Sequence, residues 1–133
     1  MLEKEMIQLR GFKNVFVEGD PAGFQVRIRT PYYRGIWASL LEGAEVTVDG
    51  EKFAKETIQW TLGEKMYTLA ELEASTDLRW QFDEAAVLTV PRPGGLATGT
   101  HDIKVSLFFR ASYMPENMQP WVEHTQRSVT LVH

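Results

Sequence analysis

Apolar and polar residues alternate along most of this chain with a period of two, the mark of strands with one wet face. The cleanest run sets Phe24, Val26 and Ile28 against Gln25, Arg27 and Arg29. Over residues 56–62, Ile58, Trp60 and Leu62 point one way and Thr57, Gln59 and Thr61 the other. Leu78, Trp80 and Phe82 alternate next, Asp83-Glu84 turns the chain, and Ala86, Leu88 and Val90 return. The longest run covers 101–110, with Ile103, Val105, Leu107 and Phe109 on one face and Lys104, Ser106, Phe108 and Arg110 on the other. Residues 126–132 read as a closing strand. Residues 4–17 read as one or two opening strands, with Ile7 and Leu9 set against Gln8 and Arg10. The apolar stretch 36–41 fits a buried strand or a helical turn equally well.

Turn chemistry divides these runs. Asp49-Gly50 supplies the two positive-φ positions of a type I′ hairpin, which pairs Val46 with Phe53 and Thr47 with Lys52. Glu18-Gly19-Asp20-Pro21 is a turn, and Pro91-Arg92-Pro93-Gly94-Gly95 is a loop, since proline donates nothing to a ladder. Thr68-Leu69-Ala70-Glu71 has capping-box spacing and predicts a short helix over 69–74, with no other helix of note. Many short strands with regular turns predict an all-β antiparallel sandwich, immunoglobulin-like or jelly-roll-like, as one domain over 1–133. A small barrel is the competing architecture.

Composition narrows the function classes. The chain has 133 residues, 44% of them hydrophobic and 24% charged, as in globular proteins. A net charge of −4 argues against a nucleic-acid backbone as partner. Without cysteine there is no disulfide framework and no thiolate nucleophile. The opening residues are acidic and unlike a signal peptide, and no apolar run is long enough to span a bilayer, so a cytoplasmic protein with no membrane contact is expected.

Candidate chemistry is sparse. His101, Asp102 and His124 are conceivable metal ligands, but their spacing matches no metal motif, and isolated imidazoles at a strand start and in a loop are ordinary surface groups. No serine sits in a nucleophile elbow. Asp83-Glu84 and Glu71 with Glu73 read as turn and solvated helix residues. Arg27 and Arg29, with Arg10 nearby, read as solvent-facing strand residues before an anion site. Two aromatic segments carry more. Tyr32, Tyr33, Arg34 and Trp37 lie within six residues behind Pro31, and Tyr113, Met114, Pro115, Met118, Pro120 and Trp121 lie in a segment too irregular for a strand. These are the residue types of protein interfaces, though core and loop-over-edge packing would also use them. The residues favour binding or assembly over self-sufficient catalysis.

Five stretches resemble the small β subunits of bacterial C-glycoside deglycosidases: MLEKEMIQLRGFKNV, TPYYRGIWASLLEGAEVTVDGEKF, YTLAELEASTDLRW, VPRPGGLATGTH and RASYMPENMQ. The resemblance implies a two-subunit lyase. Its larger α subunit, a TIM barrel with a divalent metal, typically manganese, removes the aglycone of a 3-oxo-C-glycoside by proton abstraction and β-elimination. The small subunit is a β-sandwich with no catalytic residue, cofactor or metal of its own, in a heterodimer that assembles further. The ten aromatic-segment residues named above would then face the α subunit. A free-standing carbohydrate-binding sandwich using Tyr32, Tyr33 and Trp37, and a metal hydrolase using His101, Asp102 and His124, are the competing readings.

Overall fold

In the computed structural model, residues 3–30, 35–110 and 121–132 are described, Trp121 by its backbone alone. The strands in chain order are β1 (Lys13–Val17), β2 (Asp20–Ile28), β3 (Ile36–Trp37), β4 (Leu41–Val48), β5 (Glu51–Phe53), β6 (Gln59–Leu62), β7 (Lys65–Tyr67), β8 (Arg79–Trp80), β9 (Ala86–Pro91), β10 (Gly99–Phe109) and β11 (Trp121–Leu131). A five-stranded sheet runs β1-β2-β9-β6-β7, a four-stranded sheet runs β11-β10-β4-β5, and β3-β8 forms a small ribbon. Every pairing is antiparallel. Both large sheets are open at their edges, so the architecture is the sandwich and not the barrel.

The alternating runs bury the faces expected of them. Phe24, Val26, Ile28, Trp60, Leu88 and Val90 line one sheet; Val46, Ile103, Val105, Leu107 and Phe109 line the other; all are 0% exposed. Phe24 and Phe53 meet edge-on across the two layers, ring centroids 5.3 Å apart. Trp60 meets Trp80 of the small ribbon edge-on at 5.6 Å, and its Nε1 donor has no hydrogen-bond partner among the described residues. The hairpin has the expected register, Val46 opposite Phe53 and Thr47 opposite Lys52, with φ of 50° at Asp49 and 88° at Gly50. The helix α1 (Leu69–Ala74) is closed by the reciprocal cap: Glu71 N–H donates to Thr68 Oγ1 at 3.2 Å and Thr68 N–H to Glu71 Oε1 at 2.9 Å. None of the described helices is long and apolar enough to cross a membrane.

Several expectations are corrected. Of residues 4–17 only β1 is a strand; Ile7 makes one isolated bridge to Ile28, Gln8 is buried at 4% and Leu9 is 47% exposed. The Gln8 amide is the cause. It donates to the Glu3 and Glu5 carbonyls at 3.2 and 2.7 Å and accepts from the Glu3 amide at 2.8 Å, folding the segment around itself instead of into a ladder. Stretch 36–41 combines both readings, a two-residue strand followed by a 3₁₀ turn at Ala38–Leu40. A second 3₁₀ turn, Lys55–Thr57, replaces the start of the 56–62 strand. Phe82 is 51% exposed because the chain turns there, held by Trp80 Nε1 donating to the Glu84 carbonyl at 2.9 Å. The last strand begins at Trp121, not at 126, because β11 matches β10 residue for residue from Gly99↔Leu131 to Phe109↔Trp121.

An N-terminal clasp closes one side. Arg127 of β11 donates to the Ile7 carbonyl at 2.7 Å and to the Glu3 carboxylate at 2.9 Å. The Leu9 amide, 2.6 Å from the other Glu3 oxygen, is the main cause of a Glu3 pKa below the ordinary carboxylate range; Arg127 adds to it and burial opposes it.

Leu88 is 0% exposed on β9, which is paired on both sides. Leu88→Ala should therefore lower unfolding free energy by about 2–5 kcal/mol, whereas Thr68→Ala, which removes one cap, should cost about 1 kcal/mol. Urea titrations of both variants check the ranking, and equal losses would contradict it.

Candidate partner interface

The chain flanking both aromatic segments converges at one end of the sandwich. Phe109, the last residue of β10, pairs with Leu41 on one side and Trp121 on the other. Arg110 N–H donates to the Leu40 carbonyl at 2.8 Å, joining the end of β10 to the 3₁₀ turn that follows Trp37. Trp121 thus belongs to a strand and not to an irregular loop, a correction forced by the full-length β10–β11 ladder. Tyr32, Tyr33 and Arg34, and Tyr113, Met114, Pro115, Met118 and Pro120, lie outside the described residues.

Trp37 is described and 46% exposed. It sits opposite Arg79 in the β3-β8 ribbon, whose other two residues, Ile36 and Trp80, are buried. The Arg79 guanidinium lies 5.3 Å from the centre of the indole, a cation–π contact at the surface. Arg79 had no signal in the sequence, because β3 and β8 are far apart along the chain. Two residues beyond Trp37, Ser39 and Leu41 begin a cleft of about 690 Å³ that also takes in Lys55, Glu73 and Arg110. Arg110 pairs there with Glu42 at 3.7 Å, and Lys55 Nζ lies 5.2 Å over the Phe108 ring, which explains an aromatic on the wetter face of β10.

The metal-candidate residues are committed elsewhere. His101 is not a surface group before a strand; it lies within β10 and is 9% exposed. Its Nδ1 is 2.6 Å from Asp49 Oδ2 and its Nε2 is 2.6 Å from the Ala97 carbonyl. A carbonyl only accepts, so Nε2 carries a proton; an ionised carboxylate also accepts, so both ring nitrogens donate in an imidazolium. Burial alone would lower the His101 pKa, and Arg92 acts the same way, but the Ala97 bond and the Asp49 bond and charge outweigh them and the net shift is upward. The Asp49 pKa is lowered, first by the Asp102 amide donating to Oδ1 at 2.8 Å and then by His101. Asp102 accepts from Gln126 Nε2 at 2.8 Å. This cluster fastens the β4–β5 hairpin tip to β10.

His124 lies in β11 and not in a loop, with Nδ1 2.8 Å from Ser106 Oγ. That is the distance of a nucleophile and its base, but the backbone around Ser106 is paired on both sides, to Glu45 and to His124, leaving no amide pair to hold an oxyanion. The pair reads as a cross-strand hydrogen bond. Among the described residues no three His, Cys, Asp or Glu side chains come together as a metal site. The Arg29 guanidinium donates to the Glu3 and Lys4 carbonyls, at 3.1 and 3.3 Å, so it is not aligned with Arg27 for an anion.

Comparison with known proteins agrees with an assembly role. Residues 2–113 match the family described as C-glycoside deglycosidase beta subunit. A protein of that name from Eubacterium cellulosolvens is 38% identical over 129 residues, 96% of this chain and 88% of the relative. A 3'-dehydrocarminate deglycosidase beta subunit from a Microbacterium species is 35% identical over 103 residues, 76% of each chain. A C-glycoside deglycosidase beta subunit from Arthrobacter globiformis is 28% identical over 104 residues, 77% of this chain and 79% of the relative.

The His101 cluster gives a pH dependence of fixed sign. A raised histidine pKa contributes stability in full below the unfolded value of 6.5 and loses it as pH rises through the folded value. A lowered aspartate pKa contributes above 3.8 and is lost as pH falls through the folded value. The melting-temperature gap between the parent and Asp49→Asn should thus be widest between those limits and narrow toward pH 9. A gap unchanged from pH 5.5 to 9 would show that the imidazole is uncharged.

Proposed function

The chain belongs to the C-glycoside deglycosidase beta-subunit family, and from that premise we propose that it is the accessory subunit of a two-subunit lyase. In this reading the larger α subunit, a TIM barrel, cleaves the carbon–carbon bond between sugar and aglycone of a 3-oxo-C-glycoside. A proton is lost beside the ketone and the aglycone leaves by β-elimination. A divalent ion, manganese being the expectation, belongs to the α subunit in this reading. The small chain supplies surface and shape, and helps to keep water from the partner's site. The observation that carries the reading is the family match over residues 2–113. The engagement of His101, Asp102 and His124 in contacts within the sandwich supports it.

The docking face in this reading is the end where β3, β10 and β11 meet. It includes Trp37 and Trp121 with Tyr32, Tyr33, Arg34, Tyr113, Met114, Pro115, Met118 and Pro120. Assembly of the heterodimer into a larger complex is part of the same proposal.

Two measurements test it. The purified chain should show no cleavage of a 3-oxo-C-glycoside, the α subunit alone little, and the mixture full activity; cleavage by this chain alone would refute the accessory role. Tyr33→Ala or Trp121→Ala should weaken association by about 2 kcal/mol if either is a hot spot, read by analytical ultracentrifugation. Unchanged affinity in both would place the interface elsewhere.

A further inference from the structure

We propose that the Arg79–Trp37 stack on the β3-β8 ribbon is a preformed anchor for a carboxylate set beside an apolar surface on the α subunit. The proposal rests on the accessory-subunit reading and adds to it a residue, Arg79, and a partner chemistry.

The stack is built on a rigid base. Ile36 and Trp80, paired in the same ribbon, are 4% and 0% exposed. The ribbon is extended by Ala38 N–H donating to the Leu78 carbonyl at 2.9 Å. Gly35 makes the close approach possible: a Cβ there would lie 2.7 Å from the Trp80 carbonyl oxygen and 2.8 Å from Arg79 Nε. The guanidinium is thus held against the indole by backbone geometry, with its rotamer entropy already reduced.

The pair does little for the fold itself, since Trp37 is 46% exposed and Arg79 is exposed. It also differs in charge pairing from some of the other arginines. Arg92, Arg110 and Arg127 each meet a carboxylate of this chain, at 3.0, 3.7 and 2.9 Å. Arg79 makes no ion pair among the described residues, and its guanidinium stacks on the indole. A guanidinium on an indole still offers its donor fork to a carboxylate, and removing water from the stack strengthens both contacts. On a chain of net charge −4, a cationic and aromatic spot selects for an acidic partner group. Arg110 and Trp121 at the same end give this anchor continuity with the proposed docking face.

The experiment uses the complex reconstituted from separately purified subunits, with association constants measured across a salt series. Arg79→Glu and Trp37→Ala should each weaken association about tenfold or more, and Arg79→Gln should flatten the salt dependence. Gly35→Ala keeps the charge but displaces it and should weaken association too. Lys104→Gln, on the outer face of β10, should leave affinity unchanged. Melting curves of each variant separate these effects from misfolding. If the parent chain associates and Arg79→Glu, Arg79→Gln and Trp37→Ala match it in affinity and salt slope, the anchor is refuted while the accessory role stands. If the parent chain fails to associate at all, the accessory role fails and the anchor with it. If calorimetry finds aryl-glycoside binding that Trp37→Ala abolishes, with subunit affinity unchanged, the ring serves a small ligand and the anchor is likewise refuted.

Discussion

Strand β10 is hydrogen-bonded along both edges, to β4 on one side and to the whole of β11 on the other. That double pairing is the constraint on which the rest depends. It aligns Ile103, Val105, Leu107 and Phe109 into one buried row, which the opposing sheet covers with Phe24, Val26, Leu88 and Trp60. One end of β10 receives the hairpin tip through Asp49 and His101; the other carries Arg110 beside the turn that follows Trp37. The buried core and the proposed docking end therefore share a single strand.

Much of this architecture is legible in the chain because it is local. The Asp49-Gly50 turn, the Thr68–Glu71 cap and the alternating runs through 24–28, 86–90 and 103–109 each need only neighbours in sequence, and each appears as read. What escapes does not follow from the strand period. Gln8 is polar yet buried because backbone groups of Glu3 and Glu5, three to five positions away, reach it where the chain curls. His101 enters the interior because Asp49, 52 positions away, arrives at its ring. Leu9 and Phe82 break their alternation where the chain turns and leaves them exposed. Trp121 and His124 join a strand because β10 is long enough to extend one.

The proposed docking end was partly legible for the same reason. Trp37 stood out by composition, being one of a cluster of large side chains. Arg79 did not, since its significance comes from pairing with Trp37 across the β3-β8 ribbon. No local pattern marks a two-residue strand whose partner lies in another part of the chain. The family relationship and the geometry thus contribute different things: the first makes the chain a beta subunit, the second describes the rigid base beneath Trp37 and Arg79.

The bond from Arg127 to the Ile7 carbonyl spans 120 positions. Loop-closure entropy opposes such a contact until the intervening chain is already ordered, so it forms late in folding. During synthesis β11 leaves the ribosome after the other described strands, and between the emergence of β10 and that of β11 one edge of β10 is bare and Gln8 lies in a segment that Arg127 has not yet fastened. Once β10 has emerged, the nascent chain thus carries an open sheet margin until β11 follows, and chaperones acting on this protein would find that margin as their target.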